Sequence, residues 1–296
     1  MKILVLGATG MLGHKTFQLL RKRFPDTHGA IRRSVSDERM KRIQLFQEGN
    51  IIERFFAADT SAVRKTLLRL QPQVVVNCIG LIKQRPEAND AIPSITMNAL
   101  FPHQLAEICE EFGGRLIHIS TDCVFNGSRG NYDEQDQADA RDLYGWTKYL
   151  GEVVGEKVIT LRTSMIGREL IHRQSLLEWF LSQNYSKVQG YQRAWYSGLT
   201  TNHLAEVIGD LIEKFPHLSG LYHVTGQTIT KYELLCLLRE AFNLDLEIVP
   251  DESVYCNRGM NGGKFHRATG YSCPSWQSLV AQLVDDPTPY HLWRYE

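Results

Sequence analysis

The sequence lacks several features that would place it in other protein classes. No apolar run approaches the ~20 residues needed to cross a bilayer, and the short apolar run after Met1-Lys2 leads into glycines and a basic stretch, unlike a secretory signal. None of the six cysteines forms a Cys-x-x-Cys pair, and the ten histidines form neither a His-Glu-x-x-His motif nor a His/Cys cluster. We therefore expect no membrane association, no disulfide framework, no metal site and a reducing, cytoplasmic location.

The formal net charge is also zero, because 33 Lys and Arg residues balance 33 Asp and Glu residues. No overall field therefore indicates a nucleic-acid partner. The charges are unevenly distributed: residues 1–70 carry 14 basic against 6 acidic residues, a net of +8, and the remainder carries 19 against 27, a net of −8. This basic region indicates either a phosphate-rich ligand or an ordinary solvated surface.

The chain length and the order of its segments predict an α/β protein of two parts. A chain of 296 residues allows two domains at roughly 150 residues each. The first half alternates buried-type strands with helical segments, a rhythm typical of a Rossmann-like, doubly wound parallel sheet. The predicted strands are 2–6, 27–32, 51–57, 74–79, 116–120 and 158–162, and the predicted helices are 11–23, 62–70, 98–112 and 144–154.

After Ser164 the rhythm changes, because helices dominate and the strands between them are short. The predicted helices are 176–181, 203–215, 231–242 and 275–284, with strands at 221–224 and 246–249. We expect residues 1–163 to form a dinucleotide-binding domain. Residues 164–296 should form mainly a smaller C-terminal α/β substrate lobe, with some segments returning to the first domain.

A glycine-rich motif follows the first strand and opens the first helix. It reads Gly7-Ala8-Thr9-Gly10-Met11-Leu12-Gly13. Glycines allow a tight turn and a close approach of the backbone to a pyrophosphate, and the N-terminus of the helix offers free N–H groups. The pattern favours dinucleotide binding over a merely structural turn. The expected cofactor contacts here are Gly7, Thr9, Gly10, Met11, Leu12 and Gly13.

The end of the second strand indicates which dinucleotide is bound. An acidic residue there would accept from the ribose 2′-OH of NAD, whereas an arginine suits the 2′-phosphate of NADP. Arg32 and Arg33 occupy this place, and no acidic residue occurs between Thr27 and Ser36. We expect NADPH rather than NADH, unless the two arginines are ordinary surface charges. Asp59, after the third strand, is predicted either to contact the adenine or to cap a helix.

Tyr144 and Lys148 form a Tyr-x-x-x-Lys pair about 130 residues after the glycines. On a helix the two side chains share a face, and a nearby ammonium favours the phenolate and lowers the pKa of a phenol. The pair is thus predicted to move a proton to a carbonyl oxygen. Thr121, at the C-terminal end of a predicted strand, would hold that carbonyl; a strand-end turn residue is the alternative.

Together these motifs resemble the extended short-chain dehydrogenase/reductase superfamily, and within it the dTDP-4-dehydrorhamnose reductase family. The resemblance spans nearly the whole chain. It is carried by Gly7 to Gly13, Asn77-Cys78-Ile79-Gly80, Ser120-Thr121-Asp122-Cys123-Val124-Phe125, Tyr144 to Lys148 and Leu161-Arg162-Thr163-Ser164, with weaker matches at Tyr222-His223-Val224-Thr225-Gly226 and Asn257-Arg258.

The resemblance implies a role for each matching residue. Tyr144 would donate the proton, Lys148 would lower its pKa and bind the nicotinamide ribose, and Thr121 would polarise the carbonyl with Asp122 close to the sugar. Further cofactor contacts implied are Cys78, Gly80 and Asn98; further substrate contacts are Thr201 and Arg258, the latter at the diphosphate or else in a surface salt bridge.

Two departures from the pattern affect the expected reaction. Related 4,6-dehydratases carry Thr-Asp-Glu, in which the glutamate is the base for elimination, but this chain has Cys123 there. Dehydration is therefore disfavoured and carbonyl reduction favoured. The family's Gly-x-Pro-Thr is replaced by Gly198-Leu199-Thr200-Thr201, which leaves the loop geometry and the preferred sugar open.

The resemblance implies NADPH-dependent reduction of the 4-keto group of a nucleotide-activated deoxysugar, in surface-polysaccharide synthesis. The alternatives are a UDP-sugar reductase or epimerase of the same superfamily, and a non-catalytic regulatory subunit like that of methionine adenosyltransferase. The expected partner is a nucleotide sugar, with no nucleic acid and no membrane, and a homodimer stays open.

Overall fold

The centre of the molecule is a sheet of seven parallel strands. The computed structural model describes residues 1–83, 89–171 and 173–294. The strands follow the order β3-β2-β1-β4-β5-β6-β11, with every neighbouring pair parallel. Their bounds are β1 Ile3–Leu6, β2 Thr27–Ala30, β3 Asn50–Ile52, β4 Val74–Asn77, β5 Arg115–Thr121, β6 Val158–Thr163 and β11 Gly220–His223. The predicted Rossmann-like sheet is thereby confirmed.

Helices cover both faces of this sheet. They are α1 Met11–Arg23, α2 Glu38–Lys41, α3 Gln44–Gln47, α4 Thr60–Leu70, α5 Ala91–Ser94, α6 Phe101–Glu111 and α7 Leu143–Leu150. Within β1, Ile3 and Val5 point into one apolar core, while Leu4 and Leu6 point into the other. Because strand β1 is buried on both faces, its residues form a continuous apolar run. This run is why β1 was recognisable in the sequence.

The remaining elements are short strands and helices that follow β6 in the sequence. The strands are β7 Met165–Ile166, β8 Lys187–Tyr191, β9 Ala194–Tyr196, β10 Leu199–Thr200, β12 Ile229–Thr230, β13 Glu247–Asp251 and β14 Cys256–Asn257. The helices are α8 Leu176–Leu181, α9 Thr201–Glu213, α10 Lys231–Ala241, α11 Gly263–Thr269, α12 Trp276–Val284 and α13 Tyr290–Trp293. Strands β12, β9 and β14 form a three-stranded sheet in that order.

Two elements late in the chain pack against elements within residues 1–163. Strand β11 extends the main sheet beside β6. Helix α9 packs on α1, where Arg23 of α1 forms an ion pair with Asp210 of α9 at 2.8 Å. The seventh strand of the main sheet is thus supplied from beyond residue 163.

Some predicted bounds are wrong for local reasons. Strand β3 ends at Ile52 rather than at residue 57, because Arg54 adopts a positive φ of 53° that breaks the extended backbone. Helix α7 ends at Leu150 rather than at residue 154, and Gly151 is its C-cap. A Cβ at Gly151 would lie 1.8 Å from the backbone oxygen of Asn98, so only glycine allows the two segments to approach so closely.

Within the described residues, no helix combines the length and the apolar character needed to span a bilayer. In the same part of the chain, no group of three or more His, Cys, Asp or Glu side chains is arranged to hold a metal ion.

Candidate active site

The glycine loop forms a tight turn between β1 and α1. Gly7 has a φ of +76°, a conformation that glycine adopts without strain. A Cβ at Gly13 would lie 2.1 Å from the carbonyl oxygen of Gly7, so the helix and the loop touch through their backbones. Gly10 is the N-cap of α1 and provides no side-chain cap. The first-turn N–H groups of α1 are therefore suited to an anionic ligand.

The residues predicted to distinguish the two dinucleotides lie near this loop. Arg32 and Arg33 follow β2 after one intervening residue, Ile31, and both side chains are exposed. Arg33 forms only a long ion pair with Asp37, at 3.9 Å. Asp59 is the N-cap of α4, and its Oδ1 accepts from the Ala62 N–H at 3.0 Å. The helix-capping alternative for Asp59 is therefore what the structure shows, while its contact with adenine stays a prediction.

A π-helical turn at Ile95–Leu100 precedes α6 and carries Asn98. The sequence predicted an ordinary helix from residue 98. The buried Asn98 amide accepts from the Leu81 N–H at 2.8 Å and donates to the Leu81 carbonyl at 3.0 Å. Asn98 thereby fixes the backbone just after Gly80. A Cβ added at Gly80 would lie 3.2 Å from Asn98 Oδ1. Cys78, after β4, lies close to Lys148, and burial raises the pKa of its thiol to about 12.

Tyr144 and Lys148 lie on α7, as the sequence predicted. The helix begins after Asp142, whose Oδ1 accepts from the Gly145 N–H at 2.8 Å. Tyr144 is partly buried beside Thr121, and the interaction with the Thr121 side chain opposes the rise that burial causes in the phenol pKa. The phenol therefore lies at the C-terminal end of β5, where ligands bind in open α/β sheets.

The expected lowering of the phenol pKa by Lys148 stays a prediction, because other groups determine the direction of the shift in this structure. Burial and the neighbouring Cys123 raise the pKa of Tyr144 above its ordinary value, although the interaction with Thr121 opposes that rise. The Lys148 ammonium is only 5% exposed and donates to the carbonyl of Ile119 at 2.7 Å. Burial lowers the pKa of Lys148 to about 8. Its charge is thus directed at the backbone of β5.

Strand β5 ends in a single turn of 3₁₀ helix at Asp122–Val124. Thr121 caps this turn, because its Oγ1 accepts from the Cys123 N–H at 3.2 Å and donates to Asp122 Oδ1 at 3.2 Å. Thr121 therefore both caps the turn at the end of β5 and lies beside Tyr144. Burial raises the pKa of the Cys123 thiol to about 12. This thiol is a poor base in the place where the dehydratases carry glutamate.

Arg258 reaches this turn from the predicted substrate lobe, but Thr201 does not. The Arg258 Nε donates to the Phe125 carbonyl at 2.8 Å, and its Nη1 lies 3.9 Å from the Cys123 sulfur. Thr201 begins α9 with no exposed surface, packed against Gly167. The substrate role of Thr201 stays a prediction that the burial of its side chain does not support.

Two lysines near the site were not identified from the sequence. Lys231, the first residue of α10, places its Nζ 4.4 Å from the centroid of the Tyr196 ring. Burial lowers the pKa of Lys231, and the charge of Asp122 opposes this shift. Lys83 places its Nζ 5.9 Å from the Tyr144 ring and 2.5 Å from Asp142. Neither lysine belongs to a motif, so no local signal was available.

A buried polar network supports the site from behind. Glu152 and Arg162 form an ion pair at 2.7 Å, with side chains 6% and 3% exposed. The Ser120 hydroxyl donates to Glu152 at 2.7 Å, and Arg162 contacts the His223 ring nitrogen at 3.3 Å. Ser120 directly precedes Thr121, so this network fixes the end of β5.

The parallel sheet, the glycine loop and the Tyr-x-x-x-Lys helix define the class of extended short-chain dehydrogenases/reductases. Within that class, the chain belongs to the family described as RmlD substrate binding domain, whose model matches residues 1–287.

The chain is similar to known proteins of more than one kind. The chain is 27% identical over 257 residues to methionine adenosyltransferase 2 subunit beta of Mus musculus, covering 82% of this chain and 72% of that protein. It is 31% identical over 150 residues to dTDP-4-dehydrorhamnose reductase of Streptomyces griseus, covering 50% and 43% of the two chains. A crystal structure of dTDP-4-dehydrorhamnose reductase from Bacillus anthracis in complex with NADP superposes with a TM-score of 0.77 at 20% identity, covering 96% and 99%.

Proposed function

We propose that the protein is an NADPH-dependent reductase of a 4-keto group on a nucleotide-activated deoxysugar. The observation that carries the proposal is the arrangement at the end of β5, where Tyr144 lies beside Thr121 and the buried Lys148, on the same helix as Tyr144, donates to the Ile119 carbonyl of that strand at 2.7 Å. Two hydroxyl groups at this edge can bind one carbonyl oxygen together. The family match and the NADP-bound relative support the same reading.

The residues around the glycine loop fit a dinucleotide. The backbone contact between Gly13 and Gly7 leaves no room for a Cβ, and the glycine N-cap leaves first-turn N–H groups to face phosphate. Arg32 and Arg33 have the chemistry to bind a 2′-phosphate, which favours NADPH over NADH. When bound, the reduced nicotinamide would supply the hydride.

The proton for the developing alkoxide comes from Tyr144 in this proposal. Its raised pKa keeps the phenol protonated at neutral pH, so the group is a donor rather than a base. Hydride addition at the carbonyl carbon and proton transfer from the phenol to the oxygen together give an alcohol. Lys148, with a pKa of about 8, is able to return a proton to the phenolate near neutral pH.

The substrate would lie between the turn after β5 and the predicted substrate lobe. Asp122 accepts hydrogen bonds from sugar hydroxyls, whereas Arg258 and Lys231 offer positive charge for the diphosphate. The product would feed polysaccharide synthesis in the cytoplasm. Which nucleotide and which sugar are used is decided by assay.

The test is turnover of dTDP- and UDP-linked 4-ketosugars by the purified protein, followed through the absorbance of NADPH and then of NADH. Tyr144→Phe should abolish turnover while NADPH still binds. Tyr149→Phe is the matched control, because Tyr149 lies on the same helix and is exposed. Turnover that survives in Tyr144→Phe would refute the assignment of the proton donor.

A second candidate is a non-catalytic regulatory subunit, which is favoured by the likeness to methionine adenosyltransferase 2 subunit beta at 27% identity. The distinguishing measurement is whether the protein changes the kinetics of a purified methionine adenosyltransferase catalytic subunit. An effect that Tyr144→Phe leaves intact, with no ketosugar turnover by the wild type, would favour this second function.

A further inference from the structure

The last part of the chain lies across the first helix. We name residues 286–294 the C-terminal strap. Asp286 forms an ion pair with Lys15 of α1 at 2.6 Å, and both side chains are only 3% exposed. The Thr288 hydroxyl accepts from Lys15 Nζ at 2.9 Å and from Gln18 Nε2 at 3.0 Å. The strap is thus held to the helix that begins at the glycine loop.

His14 connects this strap to the glycine loop itself. Its Nδ1 lies 2.8 Å from the carbonyl oxygen of Gly10, and its Nε2 lies 2.9 Å from the Tyr290 hydroxyl. A carbonyl only accepts, so Nδ1 carries the proton. Burial lowers the pKa of His14 to about 4, so the ring is neutral at pH 7 and Nε2 accepts from Tyr290. The Tyr290 hydroxyl also lies 3.3 Å from Asp286 Oδ2, a second acceptor for its one proton.

The other end of the strap is anchored in the predicted substrate lobe. The guanidinium groups of Arg168 and Arg294 lie 4.8 and 5.1 Å from the centroid of the Tyr290 ring. Arg294 Nη1 donates to Glu178 at 2.7 Å, and Arg168 Nε donates to the same carboxylate at 2.8 Å. These contacts hold the Tyr290 side chain in place. Its hydroxyl therefore contacts His14 without a further loss of side-chain freedom.

We propose that Tyr290 is a positioning residue for coenzyme binding, acting through His14 on the carbonyl of Gly10. This inference rests on the proposed function, because it takes the glycine loop to be the coenzyme site. Glycine-rich backbone loses much conformational freedom when it is ordered. A loop that is held before the ligand arrives spends less of the binding free energy on that ordering. Gly10 makes two backbone hydrogen bonds, from its N–H to Gly7 O at 2.8 Å and from the His14 N–H to its carbonyl at 3.0 Å, and the His14 side chain adds a third contact.

The test measures the dissociation constant of NADPH for Tyr290→Phe, which removes the hydroxyl and leaves the ring. We expect it to rise about tenfold, the change that corresponds to 1.4 kcal/mol. At saturating NADPH, kcat and the KM of the ketosugar should stay at the wild-type values. Thr288→Val is the control, because it weakens the strap at Lys15 and Gln18 without touching His14.

A purely structural role makes a different prediction. The NADPH dissociation constant would then rise with any loss of folding stability. Thr288→Val would raise it as much as Tyr290→Phe does, and that result overturns the proposal. An NADPH affinity of Tyr290→Phe within about twofold of the wild type also overturns it. If Tyr290→Phe does not fold, His14→Gln is measured in the same way, with the same expected rise.

The double variant His14→Gln/Tyr290→Phe adds a test of coupling. Because both residues act on Gly10 in series, the double variant should bind NADPH no more weakly than the weaker single variant. Multiplicative effects would show independent roles and overturn the proposal. Failure of the wild type to bind either NADPH or NADH is a separate outcome, since it removes the proposed coenzyme site and this inference with it.

Discussion

Mild acid should destabilise this protein well before its carboxylates are protonated. His14, His118 and His223 have no exposed surface. Burial lowers the pKa of His14 to about 4 and that of His223 to about 3, and it holds the pKa of His118 well below its usual range. All three rings are therefore neutral in the folded protein and take up protons when the chain unfolds.

The sign and the size of the effect follow from linkage. The unfolded state binds more protons than the folded state below the ordinary histidine pKa of about 6.5, so stability falls as the pH falls through that value. At about pH 5, His14 and His223 each lower the free energy of unfolding by about 2 kcal/mol relative to neutral pH. Their joint loss of about 4 kcal/mol is a large part of the 5–15 kcal/mol typical of a domain.

The buried carboxylates act in a lower pH window. Ion pairs lower the pKa of Asp286 and of Glu178. The stability that these groups contribute is present above their unfolded pKa of about 4 and is lost only below it. Between about pH 6.5 and pH 5, the histidines should therefore dominate the change in stability.

The assay is urea denaturation followed by circular dichroism at a series of pH values between neutral and about pH 5. The unfolding midpoint should fall steadily across this range. His14→Gln should remove about one third of the slope, because one of three neutral rings is gone. A midpoint that stays constant from pH 7 to about pH 5 would contradict the neutral state of these histidines.

Three further outcomes test the site and its support. Glu152→Gln should lower the free energy of unfolding by about 3–5 kcal/mol, measured by urea denaturation, because it leaves the buried Arg162 without its counter-charge; an unchanged midpoint would contradict this. Changing Arg32 and Arg33 together to Ser should weaken NADPH binding about tenfold or more and leave NADH binding unchanged, and equal losses for both coenzymes would count against a 2′-phosphate contact. Lys231→Gln should raise the KM of the nucleotide sugar about tenfold with NADPH affinity unchanged, and an unchanged KM would exclude Lys231 from the substrate site.

The parts of the fold that were predictable are those with local causes. Strand β1 and the first three residues of β4 are continuously apolar because they are buried on both faces, and the glycine loop is recognisable because only glycine tolerates its backbone contacts. The π-helical turn around Asn98 has no such signal. Its Asn98 carbonyl is closely approached by Gly151, which comes from another part of the chain.

Residues that act through tertiary contacts could not be found from spacing. Lys231 occupies the first turn of an ordinary capped helix, and only the packing of the predicted substrate lobe brings it toward Asp122. His14 and Tyr290 meet across 276 positions of sequence. The spacing of Tyr144 and Lys148 did predict a shared helix, but it could not reveal that the ammonium donates to the backbone of β5.

The protonation states of the site together favour reduction over elimination. Elimination needs a base beside the sugar, yet burial raises the pKa of Cys123 to about 12 and keeps its thiol neutral. The same burial raises the pKa of Tyr144 and leaves its phenol protonated. Reduction of a carbonyl needs a proton donor at the oxygen, and these groups are donors at neutral pH. Cys123→Glu should therefore place a carboxylate beside Tyr144 and slow ketosugar reduction, measured as kcat. An unchanged kcat in this variant would show that the raised pKa of the phenol is not what the reaction depends on.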